Sequence, residues 1–234
     1  MIPRIAHFHW EGPPMPWLRM MSLHTFIRLN PDWEVRLHRT YEHIRELNLP
    51  CYGNEADMVW LEAVDRHGGF AVATDTVFVR PIPDEWLEAD FVGCPTGKGT
   101  LYHCCFGAVP NHSFVSRCVK ESRLFSRPGR PVAYQTLGIE LFNRVLGDVG
   151  GFTGGYFGRF HSMHVDAFTS YRFDQMGRLW NDAEDLEIAD DAVGITWFGG
   201  DSISKEHEPM SHESDAPIVR LAREVTRESE DGCE

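Results

Sequence analysis

The chain has 234 residues, 42% of them apolar and 12% aromatic, which is enough for a packed core and excludes a disordered protein. A formal charge of −13 argues against nucleic acid as a partner, because binding phosphates requires a basic face. No apolar run approaches the ~20 residues that span a bilayer, and MIPRIAHFHW lacks the pattern of a secretory signal, so a cytoplasmic protein is expected.

The N-terminal IPRIAHFHW alternates as a first strand, with His7 and His9 on one side and Phe8 and Trp10 on the other. It ends at Glu11-Gly12-Pro13-Pro14. WLRMMSLHTFIRL then places Leu18, Met21, Leu23, Phe26 and Leu29 largely at helical intervals, and Asn30-Pro31-Asp32 breaks the helix. Trp33 to His38 alternates as a second strand. A short helix around 41–47 and a loop at Leu49–Asn54 follow.

The stretch from Ala56 to Ile82 organises the rest. Met58, Leu61 and Val64 recur at helical spacing, and Gly68-Gly69 supplies the C-cap. FAVATDTVFV reads as one buried strand, ended by Arg80-Pro81. In its middle sits Asp75, an acid that must be paired, hydrogen-bonded or bound to a cation. The order strand, helix, strand, helix, strand predicts an α/β domain with a mostly parallel central sheet flanked by helices. Ligands of such sheets lie beyond the carboxyl ends of the strands, which is where Trp10, Glu11 and Asp75 are expected to meet.

Beyond Pro83, Phe91–Cys94 is a short strand and Leu101–Val109 another, followed by a helix at 113–125. Gly97-Lys98-Gly99 lacks the full phosphate-loop spacing. The six cysteines show no CxxC pair, so reduced thiols are expected, with Cys104-Cys105 as packing. Arg127-Pro128-Gly129-Arg130-Pro131 is a turn or a lid near phosphates, the turn being the simpler reading. Tyr134 to Val145 reads as a helix. The glycine-rich run 147–158 is an acceptor-side loop or a hairpin. His161, His164 and Asp166 form a weak metal pattern. Residues 1–204 are read as one domain and 205–234 as an acidic tail, with Leu221–Val225 as a helix and the end frayed.

These motifs resemble a DxD sugar-transferase family, glycosyltransferase family 32-like, which includes yeast initiating mannosyltransferases and, more distantly, clostridial glucosylating toxins. Ile2-Pro3, His7, Trp10 and Gly12 match the family's opening strand, and NPDWEVRL resembles its second. Ala56-Asp57, Gly68-Gly69, Asp75 and Arg80-Pro81 fall in register with its central motif. Gly107 to His112 matches more loosely, and Gly194–Asp201 matches the family's closing motif, which implies a last strand there. The resemblance departs at three places: the first DxD acid is Ala73, the arginine after the Asp is Trp60, and the closing histidine is Thr196.

The resemblance implies a GT-A-like nucleotide-sugar-binding fold and a retaining glycosyltransferase that moves a sugar from a UDP- or GDP-sugar to a glycan or protein acceptor. Asp75 and Asp57 are then the expected catalytic residues, with a divalent Mn²⁺ or Mg²⁺ ion held by Asp75; Asp201, just beyond the place of the missing closing histidine, is this chain's own candidate for a second oxygen ligand. The donor contacts it implies are His7, Phe8, Trp10, Asp57, Thr74, Gln135, Thr136, Gly138 and Trp197. Charge developing on the diphosphate must be stabilised by metal, cations or helix ends. A metal-independent transferase using Arg80, Arg127 or Arg130 is the first alternative. A catalytically degenerate protein that binds sugar or nucleotide is the second.

Overall fold

The computed structural model describes residues 1–95, 100–127, 130–153, 157–181 and 185–227. The chain begins β1 (Ile5–His9), α1 (Trp17–Leu29), β2 (Glu34–His38), α2 (Glu42–Arg45) and α3 (Tyr52–His67). It continues β3 (Gly69–Val72), β4 (Thr76–Phe78), α4 (Asp84–Leu87), β5 (Phe91–Pro95) and β6 (Leu101–Ala108). Next come α5 (Ser113–Phe125), α6 (Ile139–Asp148), β7 (Phe160–Ser162), α7 (Asp166–Thr169) and α8 (Met176–Asn181). β8 (Gly194–Thr196), α9 (Ser202–His207) and α10 (Pro217–Thr226) complete it. Gly97-Lys98-Gly99, Pro128-Gly129, residues 154–156 of the glycine-rich run and residues 228–234 lie outside the described residues.

Two compact units emerge. The first comprises residues 1–13, 32–73 and 83–165. Its six-stranded sheet has the order β2-β1-β3-β6-β5-β7. β2, β1 and β3 run parallel, with Ala6 opposite both Val35 and Phe70. β6 is antiparallel to β3 and to β5, and β7 runs parallel to β5. Three of the five pairings are thus parallel, as the strand–helix alternation predicts.

α3 supplies the connection into β3. Its apolar stripe, Met58, Leu61 and Val64, is buried, and the helix stops where Gly68 takes φ +66° and Gly69 φ +97°. A Cβ on Gly69 would run into the carbonyl of Ile5, so the turn requires glycine both for backbone conformation and for space. On the other side of the sheet order the core is aromatic. Phe91 meets Phe114 edge-on at 5.3 Å between ring centres, and Phe106 meets Phe142 at 5.0 Å. Such edge-to-face pairs add to the burial of the rings themselves.

The second unit comprises residues 14–31, 74–82 and 166–234, described as far as 227. A two-stranded antiparallel ribbon pairs β4 with β8, Thr76 opposite Thr196 and Val77 opposite Ile195. Around it α1, α8 and α10 bury Leu18, Met21, Trp180, Ile218 and Val219 with Trp197. α10 buries Ile218, Val219 and Ala222 from its amphipathic face, the helix that the tail sequence signals. Among the described residues no helix is long and apolar enough to cross a membrane.

Three expectations are corrected. FAVATDTVFV is two strands: β3 ends at Val72 in the six-stranded sheet, and β4 starts at Thr76 in the ribbon. Thr74 and Asp75, the polar residues between them, leave the ladder and bond to groups of the second unit, which an apolar run does not disclose. α3 begins at Tyr52, taking up the last three residues, Tyr52–Asn54, of the stretch expected to be loop. The helix expected from Tyr134 begins at Ile139, because Thr136 Oγ1 accepts from the Ala133 N–H and the Gly138 N–H turns back to Gln135 O. Side-chain bonding of this kind competes with helix.

Candidate functional site

In the first unit the parallel strands β1 and β2 end side by side, and the residues just beyond them form a polar hub. Thr40 organises it. Its N–H donates to Glu11 Oε2 at 2.9 Å, and its hydroxyl donates to Glu55 Oε2 at 2.6 Å. With that hydroxyl proton spent, the 2.9 Å contact from His9 Nε2 is donated by the ring. Glu11 is held below the usual carboxylate range by the Thr40 amide, with Arg45 and Arg39 beside it. Trp10, half-buried, donates from Nε1 to Pro13 O at 2.8 Å, which fixes the loop that follows β1.

Behind this edge the histidines are structural in their bonding. His7 is fully buried, with ring nitrogens against His38 Nε2 at 2.9 Å and Gly68 O at 2.8 Å. Burial lowers His7 and His9 to about 4, so both are neutral at neutral pH. Phe8 is fully buried in the core.

A second group in the same unit follows one face of α3. Asn54, Asp57 and Trp60 recur every third residue, so they share a stripe. All three are buried. Asn54 Nδ2 donates to Ala133 O at 3.3 Å, while Asn54 Oδ1 and Trp60 Nε1 have no hydrogen-bond partner among the described residues. Burial pushes the Asp57 carboxyl up to about 8, and His103 Nε2 from β6 stands 3.4 Å from its Oδ1, placed to share the proton. Gly138, the cap residue of α6, closes the group: a Cβ there would come within 2.6 Å of His103 Nε2 and 2.8 Å of Asp57 Oδ2. Asp57 and Gly138, singled out separately in sequence, are thereby brought together. Gln135 is exposed, and Thr136 Oγ1 donates to Glu140 Oε2 at 3.3 Å.

The second unit holds Asp75. Its Oδ2 accepts from the Gly199 N–H at 2.8 Å, and its carbonyl accepts from Trp197 N–H at 3.0 Å. Oδ1 takes no hydrogen bond among the described residues. Beside it Arg19 donates from Nη1 to Thr74 Oγ1 at 3.0 Å and from Nε to Glu208 Oε1 at 2.7 Å. Glu208 Oε2 in turn accepts from Trp197 Nε1 at 2.8 Å, and Trp197 is fully buried. Asp201 caps α9, its Oδ1 accepting from Ile203 N–H at 2.9 Å. The oxygens that these hydrogen bonds leave over are few. Asp75 offers Oδ1 and Asp201 its second oxygen, while Ala73 offers none and is packed in the apolar core of the first unit. Mg²⁺-type sites often use one or two carboxylates, with phosphates and waters as the remaining ligands.

Sequence reasoning passed over Arg19, Glu208 and His103. Arg19 reads as the polar face of an amphipathic helix, and His103 as one residue of an apolar strand. Only the fold shows their partners. Of the cations named for a metal-independent site, Arg80 is committed to the Ala189 and Ala192 carbonyls, at 2.9 and 2.5 Å. Arg130 lies over the Phe125 ring.

No protein-family model and no curated protein sequence matches the chain. Among solved structures it is similar to the PaToxG glycosyltransferase, with TM-score 0.51 and 10% identity over 66% of this chain and 73% of that one. The fold is therefore glycosyltransferase-like, of the GT-A-like mixed α/β kind.

Proposed function

We propose that the protein is a glycosyltransferase that moves a sugar from a UDP- or GDP-sugar to a glycan or protein acceptor. The observation that carries this reading is the glycosyltransferase-like fold, whose parallel β2-β1-β3 block ends in the Trp10–Glu11–Thr40 hub. Crevices beyond the carboxyl ends of parallel strands are where such sheets bind ligands. Trp10 offers an aromatic face for a base. Asp57, buried and protonatable, is suited to hydrogen-bond a sugar or ribose hydroxyl.

Asp75 is assigned to the diphosphate side. The Gly199 amide orients its carboxylate and leaves Oδ1 available. A divalent ion, when bound, would neutralise charge on the departing diphosphate, and Asp75 with Asp201 would hold it. The chain's own part is to fix that carboxylate, and Arg19 braces the same segment through Thr74. A metal-independent transferase is the second reading, favoured by the alanine at position 73 and by the single open carboxylate oxygen at Asp75.

The test is hydrolysis and transfer of a panel of UDP- and GDP-sugars, with Mn²⁺ and with EDTA. Asp75→Asn should lower turnover at least tenfold, with wild-type turnover lost in EDTA. Turnover that survives EDTA would select the metal-independent reading. A wild-type protein that consumes no donor would leave the sugar- or nucleotide-binding alternative.

A further inference from the structure

Around Asp75 the second unit closes a ring of bonds. Arg19, on α1, donates from Nη1 to Thr74 Oγ1 at 3.0 Å and from Nε to Glu208 Oε1 at 2.7 Å. Glu208 Oε2 accepts from Trp197 Nε1 at 2.8 Å. Two residues beyond Trp197, the Gly199 N–H reaches Asp75 Oδ2 at 2.8 Å. Asp75 follows Thr74 in the chain, so the ring returns to the segment at which it began.

Three observations show what the ring holds. Phe198, between Trp197 and Gly199, has φ +47°. A bulky side chain rarely takes that left-handed conformation, which persists only where the surroundings over-determine it. They do so here, since Ser204 Oγ donates to Trp197 O at 2.5 Å and the Asp201 N–H to Phe198 O at 2.7 Å. Next, the Arg19–Glu208 pair is largely out of water, its side chains 17% and 10% exposed. Replacing such a pair by apolar side chains is often neutral or stabilising, so stability alone does not account for it, whereas the fixed fork of a guanidinium sets geometry. Last, Gly199 has no room for a side chain. A Cβ there would run into Arg19 Nη2 and stand 3.0 Å from Glu208 Oε2. The guanidinium therefore lies against the Gly199 backbone while it bonds Thr74, touching both segments that meet at Asp75.

We propose that Arg19 and Glu208 are positioning residues: through Thr74 on one side and Trp197 on the other, they hold the Gly199 N–H on Asp75 and so fix the orientation of its carboxylate. The inference rests on the transferase reading above and deepens it with two residues outside the resembled motifs. It also makes Glu208, in the stretch whose sequence reads as an acidic tail, part of the support of the site.

Hydrogen–deuterium exchange read by NMR, with donor turnover measured alongside, tests it. Arg19→Lys keeps the charge and loses the fork, Thr74→Val deletes the hydroxyl, and Thr74→Ser keeps it. Exchange at the Gly199 N–H should quicken about tenfold or more in Arg19→Lys and Thr74→Val, and stay near wild type in Thr74→Ser. The amides of the β4–β8 ribbon should keep their rates, which a general loosening of the unit would raise as well. For the UDP- or GDP-sugar that wild-type protein consumes, Arg19→Lys should lower kcat about tenfold and leave KM within about twofold. Adding Arg19→Lys to Asp75→Asn should cost nothing further, because residues that act as one unit are not additive. Gly199 exchange that is unchanged in both Arg19→Lys and Thr74→Val would overturn the proposal, and so would losses that multiply in the double variant. A wild-type protein that consumes no donor would remove the transferase reading, and Gly199 exchange would then decide by itself whether the ring fixes Asp75.

Discussion

At the scale of single residues, Ala73 is informative because it occupies the place of an acid in the motif the chain resembles. It is 8% exposed and belongs to the same apolar cluster as Trp60, Leu61 and Phe106. An aspartate there would carry a carboxylate into that cluster with no cation in it to pair with. Burial of an unpaired charged or polar group is among the few single changes that cost several kcal/mol. Ala73→Asp should therefore lower stability by about 2 kcal/mol or more in urea unfolding, instead of simply restoring a metal ligand. Unchanged stability together with tighter Mn²⁺ binding would show that the position opens onto the metal. Asp75 tells the complementary story. The sequence rule that a mid-run acid needs a partner identified it correctly, but the partner is a backbone amide, Gly199 N–H, which no side-chain pattern reveals.

At the scale of elements, periodicity located most of the framework. β1, α1, β2, β5, β6 and α5 fall where alternation or helical spacing places them, β8 falls where the closing motif of the resembled family puts a strand, and the parallel β2-β1-β3 block follows from the strand order. The misses have physical causes. The run from Phe70 to Val79 is apolar on both faces, and such a run looks the same whether one strand or two carry it. Only the ribbon partner, Thr76 Oγ1 against Thr196 Oγ1 at 2.9 Å, separates them. The start of α6 was displaced by a local side-chain bond at Thr136. The candidate site was half legible for the same reason. Asp57 and Gly138 could be singled out by motif, but their meeting with His103 depends on β6 and α6 standing against α3.

At the scale of the whole molecule, buried titratable groups set the pH range in which the fold holds. His7 and His9 have folded values near 4 against ~6.5 unfolded, so their contribution is full above 6.5 and lost as pH falls toward 4. Asp57 behaves oppositely. Its folded value near 8 lies above ~3.9 unfolded, so its contribution is full at low pH and lost as pH rises toward 8. Between 4 and 6.5 two histidines outweigh one carboxyl, and from 6.5 to 8 Asp57 acts against stability alone among these three, at about 1.4 kcal/mol per pH unit. Calorimetric Tm should peak near pH 6.5, and Asp57→Asn should flatten the alkaline limb. An alkaline limb that is the same in Asp57→Asn as in wild type would contradict the burial assigned to that carboxyl.

The central claim is that this fold binds a nucleotide sugar, and thermal unfolding of the wild-type chain with UDP-, GDP- and dTDP-sugars tests it most directly. A ligand that binds only the folded state raises Tm by mass action. The account predicts a rise that saturates with one UDP- or GDP-sugar and exceeds the rise with its diphosphate. No rise with any donor, in Mn²⁺ or in EDTA, would contradict it.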